Sequence, residues 1–83
     1  MTVGEIIKRE RIKKGLSYRG LAKKANVALA TIQNVESDKH TPTNSTLKSI
    51  AEALDLKSTD ILLEAIADLV QEQDKRKNGV WHG

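Results

Sequence analysis

The chain of 83 residues has no cysteine, no phenylalanine and a single proline, Pro42. Without cysteine there is neither a disulfide scaffold nor a zinc site built on thiolates. A chain this short buries only about 60% of its unfolded surface, so its core is small. The only aromatic residues are Tyr18 and Trp81. Readers of single-stranded nucleic acid stack bases on several aromatic faces, so that class is excluded. The longest apolar runs, such as Ile61-Leu62-Leu63, are far too short to span a bilayer, and no apolar segment follows the N-terminal charges. A cytoplasmic protein that does not engage membranes is expected. A phosphate-binding glycine loop, an HExxH pair and a nucleophile elbow around any of the five serines are all missing. His40 and His82 are far apart in sequence, and no helix offers two metal ligands at i, i+4 with a third nearby. Neither an enzyme nor a metal or cofactor protein is expected, and no sensor segment implies a small-molecule ligand.

What is abundant is charge, at 30% of residues against 39% hydrophobic, which suits a folded domain rather than a disordered one. It is unevenly placed. Residues 1–48 carry ten Lys/Arg and four Asp/Glu, whereas residues 49–83 carry four and seven. The net charge of +3 is therefore a basic front and an acidic back, and a basic front fits a polyanion. The densest run is Lys8, Arg9, Arg11, Lys13, Lys14, Arg19, Lys23 and Lys24. Basic runs are also common on solvated helices, so charge alone leaves both readings open.

Apolar spacing and punctuation predict five helices and no strand. Val3, Ile7 and Arg11 share one stripe of a first helix that ends at Gly15. Ser17 caps a second helix running to about Ala25, with Leu21, Ala22 and Ala25 inward. Asn26 tolerates the left-handed backbone of a sharp turn. Residues 28–37 form a third helix, and 37–42 a polar loop. Thr43 caps a fourth helix through Leu54 with Leu47, Ile50, Ala51 and Leu54 at helical spacing, and Asp55 occupies the next turn. Ser58 caps a fifth helix that runs to Lys77 and stops at Asn78-Gly79. One domain over 1–77 with a short tail, 78–83, is expected.

The second and third helices, joined at a corner that Val27 plugs, form a helix-turn-helix arrangement. On the third helix Ile32 and Val35 point one way. Ala30, Gln33, Asn34 and Ser37 cluster opposite, with Leu29, Thr31 and Glu36 at the boundaries. Small and amide side chains let a helix approach base edges. Gln and Asn pair with adenine, and Ala, Leu or the Thr methyl touches the thymine methyl. With no Lys or Arg on that helix, the half-site is expected to lean on A·T pairs.

The stretch Leu16 to Glu36, with Pro42-Thr43, Thr46-Leu47, Ile50-Ala51 and Ala53-Leu54 after it, resembles the Cro/phage-repressor (Xre-type) helix-turn-helix family over roughly residues 3–63. The resemblance implies a compact, five-helix, all-α lambda-repressor-like bundle that binds double-stranded DNA, usually as a dimer, and regulates transcription. Where the family often has Gln at the start of the second helix, reaching a phosphate, this chain has Tyr18, whose hydroxyl can donate instead, beside Arg19. Where the family commonly has Gly after helices two, three and four, it has Asn26, Asp38 and Asp55, which enter the left-handed region most cheaply after Gly. Ala28 replaces the usual Ser or Thr cap of the recognition helix, a weakening of about 1 kcal/mol that a bound phosphate would offset in part. Arg11 and Glu36 match a pair that in this family often forms a salt bridge between helix one and the recognition helix.

The expected base contacts are therefore Leu29, Ala30, Thr31, Gln33 and Asn34, and the expected phosphate contacts Tyr18, Arg19, Ser37, Lys39 and His40. On the fifth helix Ile61, Leu62, Leu63, Ala65, Ile66, Ala67, Leu69 and Val70 cover an arc of about 240°, with Glu64, Asp68, Gln71 and Glu72 filling the rest. Docking on its own core needs only about 100°. Leu62, Ile66, Leu69 and Val70 are thus expected to form a homodimer interface, with an inverted-repeat operator as its consequence. The alternative is a helical adaptor, such as an antitoxin-type protein, in which the groove-facing patch of the third helix binds another protein and the basic surface is incidental. Steep weakening by salt marks the DNA reading.

Overall fold

In a computed structural model of the chain, four of the five helices stop in the same way. The structure describes residues 1–81, with side chains through Val70. Its helices are α1 (Val3–Lys13), α2 (Tyr18–Ala25), α3 (Leu29–Glu36), α4 (Asn44–Ala53) and α5 (Ser58–Trp81). A residue with positive φ follows each of the first four, namely Gly15, Asn26, Asp38 and Asp55. The next amide then reaches five residues back: Leu16 to the Arg11 carbonyl, Val27 to Ala22, Lys39 to Asn34 and Leu56 to Ala51, all within 2.8–3.1 Å. This is the Schellman stop, which satisfies the last carbonyls of a helix and reverses the chain. After α1, α2 and α4 the residue that closes the stop is Leu16, Val27 or Leu56, each packed against the core. After α3 it is Lys39, which is exposed.

The starts are equally legible. Thr2, Ser17 and Thr43 cap α1, α2 and α4 through their hydroxyls, whereas Ala28 leaves α3 without a side-chain cap. Ala28 and Ser37 are the caps of α3 rather than its end residues. The fifth helix differs from expectation at both ends. Ser58 is its first helical residue, because the Lys57 carbonyl already accepts from Asp60 and Ile61. The helix does not stop at Asn78-Gly79 but continues to Trp81. A glycine inside a helix costs about 1 kcal/mol relative to alanine, which weakens a helix without ending it. His82 and Gly83 lie outside the described residues.

The core is a single cluster of Ile6, Ile7, Leu21, Ala22, Ala25, Ile32, Val35, Leu47, Ile50, Ala51, Ala53, Leu54 and Ile61. Ile6 and the buried Gly4 extend the α1 stripe beyond Val3, Ile7 and Arg11. Helix α2 packs on α3 and α4, α1 packs on α3 and α5, and α4 packs on α5. Among the described residues no helix is long and apolar enough to cross a membrane.

Candidate nucleic-acid interface

One guanidinium ties the three N-terminal helices together. Arg11 donates from Nε to Glu36 Oε2 (2.7 Å) and from Nη2 to Glu36 Oε1 (3.1 Å), joining α1 to the end of α3. Its Nη1 donates to the Leu16 carbonyl (2.8 Å), and its face lies 4.3 Å from the ring centroid of Tyr18, the first residue of α2. Arg11 and Glu36 are each only 8% exposed. The hydrogen bonds to Glu36 raise the pKa of Arg11 against the opposing effect of burial, so the cation persists. Removing either partner of such a pair strands a buried charge.

A second junction joins the first turn of α1 to the end of α3. Thr2 and Glu5 form a reciprocal capping box: Thr2 Oγ accepts from the Glu5 amide (3.1 Å) and Glu5 Oε1 accepts from the Thr2 amide (3.0 Å). The hydrogen bonds from Thr2 lower the pKa of Glu5. The Thr2 hydroxyl also donates to Asp38 Oδ2 (2.9 Å), which holds the left-handed residue of the α3 stop. Between these contacts a Cβ on Gly4 would sit 2.2 Å from the Val35 carbonyl oxygen, so only glycine permits this approach. Thr2, Gly4 and Asp38 were not among the expected site residues. The Thr-x-x-Glu spacing at residues 2–5 is the local signal that could have exposed the capping box.

With α3 held along its inner side, its outer side is open. Ile32, Val35 and Glu36 are buried, Ala30 and Gln33 are exposed, and Leu29, Thr31 and Asn34 are half-buried. Tyr18 and Arg19 are exposed at the start of α2, and Ser37, Lys39 and His40 are exposed where the chain leaves α3. Ser37 Oγ donates back to the Asn34 carbonyl (3.2 Å), which occupies its proton. Much of the basic run is already paired. Arg9 binds Glu64 and Glu10, Lys13 binds Glu10, and Lys14 binds Asp55. Among the described residues, Lys8, Arg19, Lys23, Lys24 and Lys39 form no ion pair. Nor do these residues hold a group of three His, Asp or Glu that could bind a metal.

A family profile described as helix-turn-helix matches residues 7–62. The chain belongs to the helix-turn-helix family. It is 35% identical over 78 residues to the immunity repressor protein of Bacillus phage phi105, covering 94% of this chain but 53% of that protein. It thus spans about half the length of the curated relative it matches. Among solved structures, SinR, the master regulator for biofilm formation, in complex with DNA, superposes with a TM-score of 0.70 at 31% identity, over 74% of this chain and 98% of that one. The clp gene regulator ClgR from Corynebacterium glutamicum superposes with a TM-score of 0.75 over 93% of this chain and 82% of that one, a likeness of fold at 22% identity. The matched span runs from mid-α1 into α5, so the helix-turn-helix unit includes the Arg11–Glu36 pair and the α2–α3 corner.

Two carboxylates of the fifth helix meet α1 and the N-terminus. Glu64 accepts from Arg9 Nη1 (2.6 Å) and Nη2 (3.0 Å), and Asp68 pairs with the N-terminal amine. Both carboxylates lie in the arc that the wheel leaves to polar residues, and there they make these pairs while staying half exposed. Ile61 enters the core and Ala65 packs beside it. What faces outward is Leu62 (38% exposed), Leu63 (62%), Ile66 (54%), Leu69 (56%) and Val70 (45%). With Ala67 these residues span about 160°, narrower than the 240° read from the sequence, because Ile61 and Ala65 belong to the core. The side chains of Gln71 and Glu72 lie outside the described residues.

Proposed function

We propose that this chain is a sequence-specific, double-stranded-DNA-binding transcriptional regulator that acts as a homodimer on an inverted-repeat operator. The observation that carries the reading is the outer side of α3. Small and amide side chains there are backed by a buried ion pair that fixes the angle of the helix, and Lys39 points outward from its stop. Helix α3 enters the major groove with Leu29, Ala30, Thr31, Gln33 and Asn34 nearest the bases. Tyr18, Arg19, Ser37, Lys39 and His40 flank it on the phosphates, with Ser37 confined to accepting while its proton remains on Asn34. The repressor name of the phage relative and the DNA bound by SinR support the same reading.

The homodimer rests on the apolar side of α5. A helix that docks on its own bundle by Ile61, Ala65 and two carboxylates, and turns Leu62, Ile66, Leu69 and Val70 to water, exposes a patch that a second copy would bury. Two copies joined there present two recognition helices about one DNA turn, roughly 34 Å, apart. Footprinting on the DNA upstream of its own gene is expected to protect an inverted repeat. In sedimentation the wild type is expected to be dimeric at tens of micromolar, and a Leu69→Glu, Val70→Lys variant folded, monomeric and poor at binding the palindrome. A wild type that stays monomeric removes the α5 interface and leaves the α3 reading to the footprint.

A further inference from the structure

Tyr18 stands where the resemblance leads one to expect an amide, and the structure surrounds its ring in a way an amide could not use. The side chain is 38% exposed and stacks on the Arg11 guanidinium at 4.3 Å from its centroid. That guanidinium cannot drift, because its three nitrogens are engaged by Glu36 and the Leu16 carbonyl. It is a rigid shelf, and a cation over a ring face is attracted by the ring quadrupole. Among the described residues the Tyr18 hydroxyl has no hydrogen-bond partner. The same plane that fixes α3 through its edge therefore fixes Tyr18 through its face.

We infer that Arg11 is a positioning residue for DNA binding: it holds the Tyr18 ring in one orientation so that its hydroxyl meets a backbone phosphate in register with α3. This rests on the reading of α3 as the groove helix. Arg11 touches no DNA itself, since its charge is consumed by Glu36. Its contribution is to remove the conformational freedom that an exposed tyrosine would lose on binding, which is worth about two- to tenfold in affinity.

The test is a cycle of variants on a duplex carrying the protected site and on an unrelated duplex. Tyr18→Phe keeps the ring on the guanidinium and deletes the hydroxyl. It is expected to weaken binding about two- to tenfold per half-site on both duplexes. Because the hydroxyl is neutral, the slope of affinity against salt stays unchanged, unlike the loss of a lysine. The Arg11→Met, Glu36→Met double variant replaces the buried pair with apolar side chains of similar volume, an exchange that buried pairs often tolerate. In that background Tyr18→Phe is expected to cost less than twofold. In the free protein the ring resonances of this single tyrosine should also move toward their unstructured positions. If Tyr18→Phe binds like the wild type while Lys39→Ala is weakened, the inference fails and the interface stands. If Tyr18→Phe costs the same in both backgrounds, the phosphate contact stands and the role of Arg11 fails. If neither Tyr18→Phe nor Lys39→Ala weakens binding, the interface reading itself fails.

Discussion

Gly4→Ala adds one methyl group where α1 passes against the backbone of α3. The new carbon would lie 2.2 Å from the Val35 carbonyl oxygen, 2.7 Å from Asp38 Oδ1 and 3.1 Å from the Glu36 carbonyl oxygen. The Asp38 side chain can swing aside by releasing Thr2. The Val35 carbonyl cannot, because it belongs to the last turn of α3 and accepts from the Asp38 amide. Helices α1 and α3 must therefore separate by about 1 Å at this end, and overpacking of this kind costs about 1–3 kcal/mol. Alanine recovers up to about 1 kcal/mol through its better helix propensity. A net loss of about 1–2 kcal/mol is expected, or roughly 5–15 °C in melting temperature for a domain of this size. Gly20→Ala is the control. It makes the same chemical change inside α2, but its carbon would meet side chains only, the nearest being Ser17 Oγ at 3.3 Å. It is expected to be as stable as the wild type or up to about 1 kcal/mol more stable. Urea denaturation followed by circular dichroism, at one protein concentration because dimerisation is linked to stability, measures both variants. A Gly4→Ala protein as stable as the wild type would refute the claim that backbone contact sets the α1–α3 spacing.

Three further outcomes follow, two from the interface and one from the α1–α5 seam. Asn34→Ala is expected to cost about 1–3 kcal/mol at its cognate base and to relax specificity there. Lys39→Ala should weaken binding to all DNA alike and flatten the salt slope by about one unit; quantitative binding between about 50 and 200 mM salt distinguishes the two patterns. Glu64 has its pKa lowered from 4.5, first by the hydrogen bonds from Arg9, so its contribution to stability is fully present above the unfolded value and disappears as pH falls through the folded one. The wild type should therefore be more stable than Glu64→Gln at neutral pH. The difference in melting temperature should shrink as pH falls below the ordinary carboxylate value and vanish below the lowered folded pKa, and one that persists when Glu64 is protonated would show that the pair is not its source.

Local chemistry determined most of this protein before any packing was considered. Hydroxyl caps at Ser17 and Thr43 and left-handed residues at Gly15, Asn26 and Asp55 act within a few residues of themselves, so the boundaries of α1, α2 and α4 follow from sequence. The opposition of Ile32 and Val35 to Ala30 and Gln33 is likewise a property of one turn geometry, and with it the candidate groove surface was legible. The tertiary structure decided what depends on a distant partner. Glu64 and Asp68 fill the polar arc of the wheel, but a wheel counts polarity and does not show that Arg9 and the N-terminal amine pair with them across the seam. At Gly4 the Val35 carbonyl, 31 residues away, occupies the space of the missing side chain, which no local signal reveals. Tyr18 and Arg11 are seven positions apart on different helices, and the guanidinium lies beneath the ring because Glu36, from α3, and the Leu16 carbonyl, between α1 and α2, hold it there. Periodicity and capping are short-range and survive in a string of letters, whereas ion pairs, close approaches and stacking are set by which faces meet.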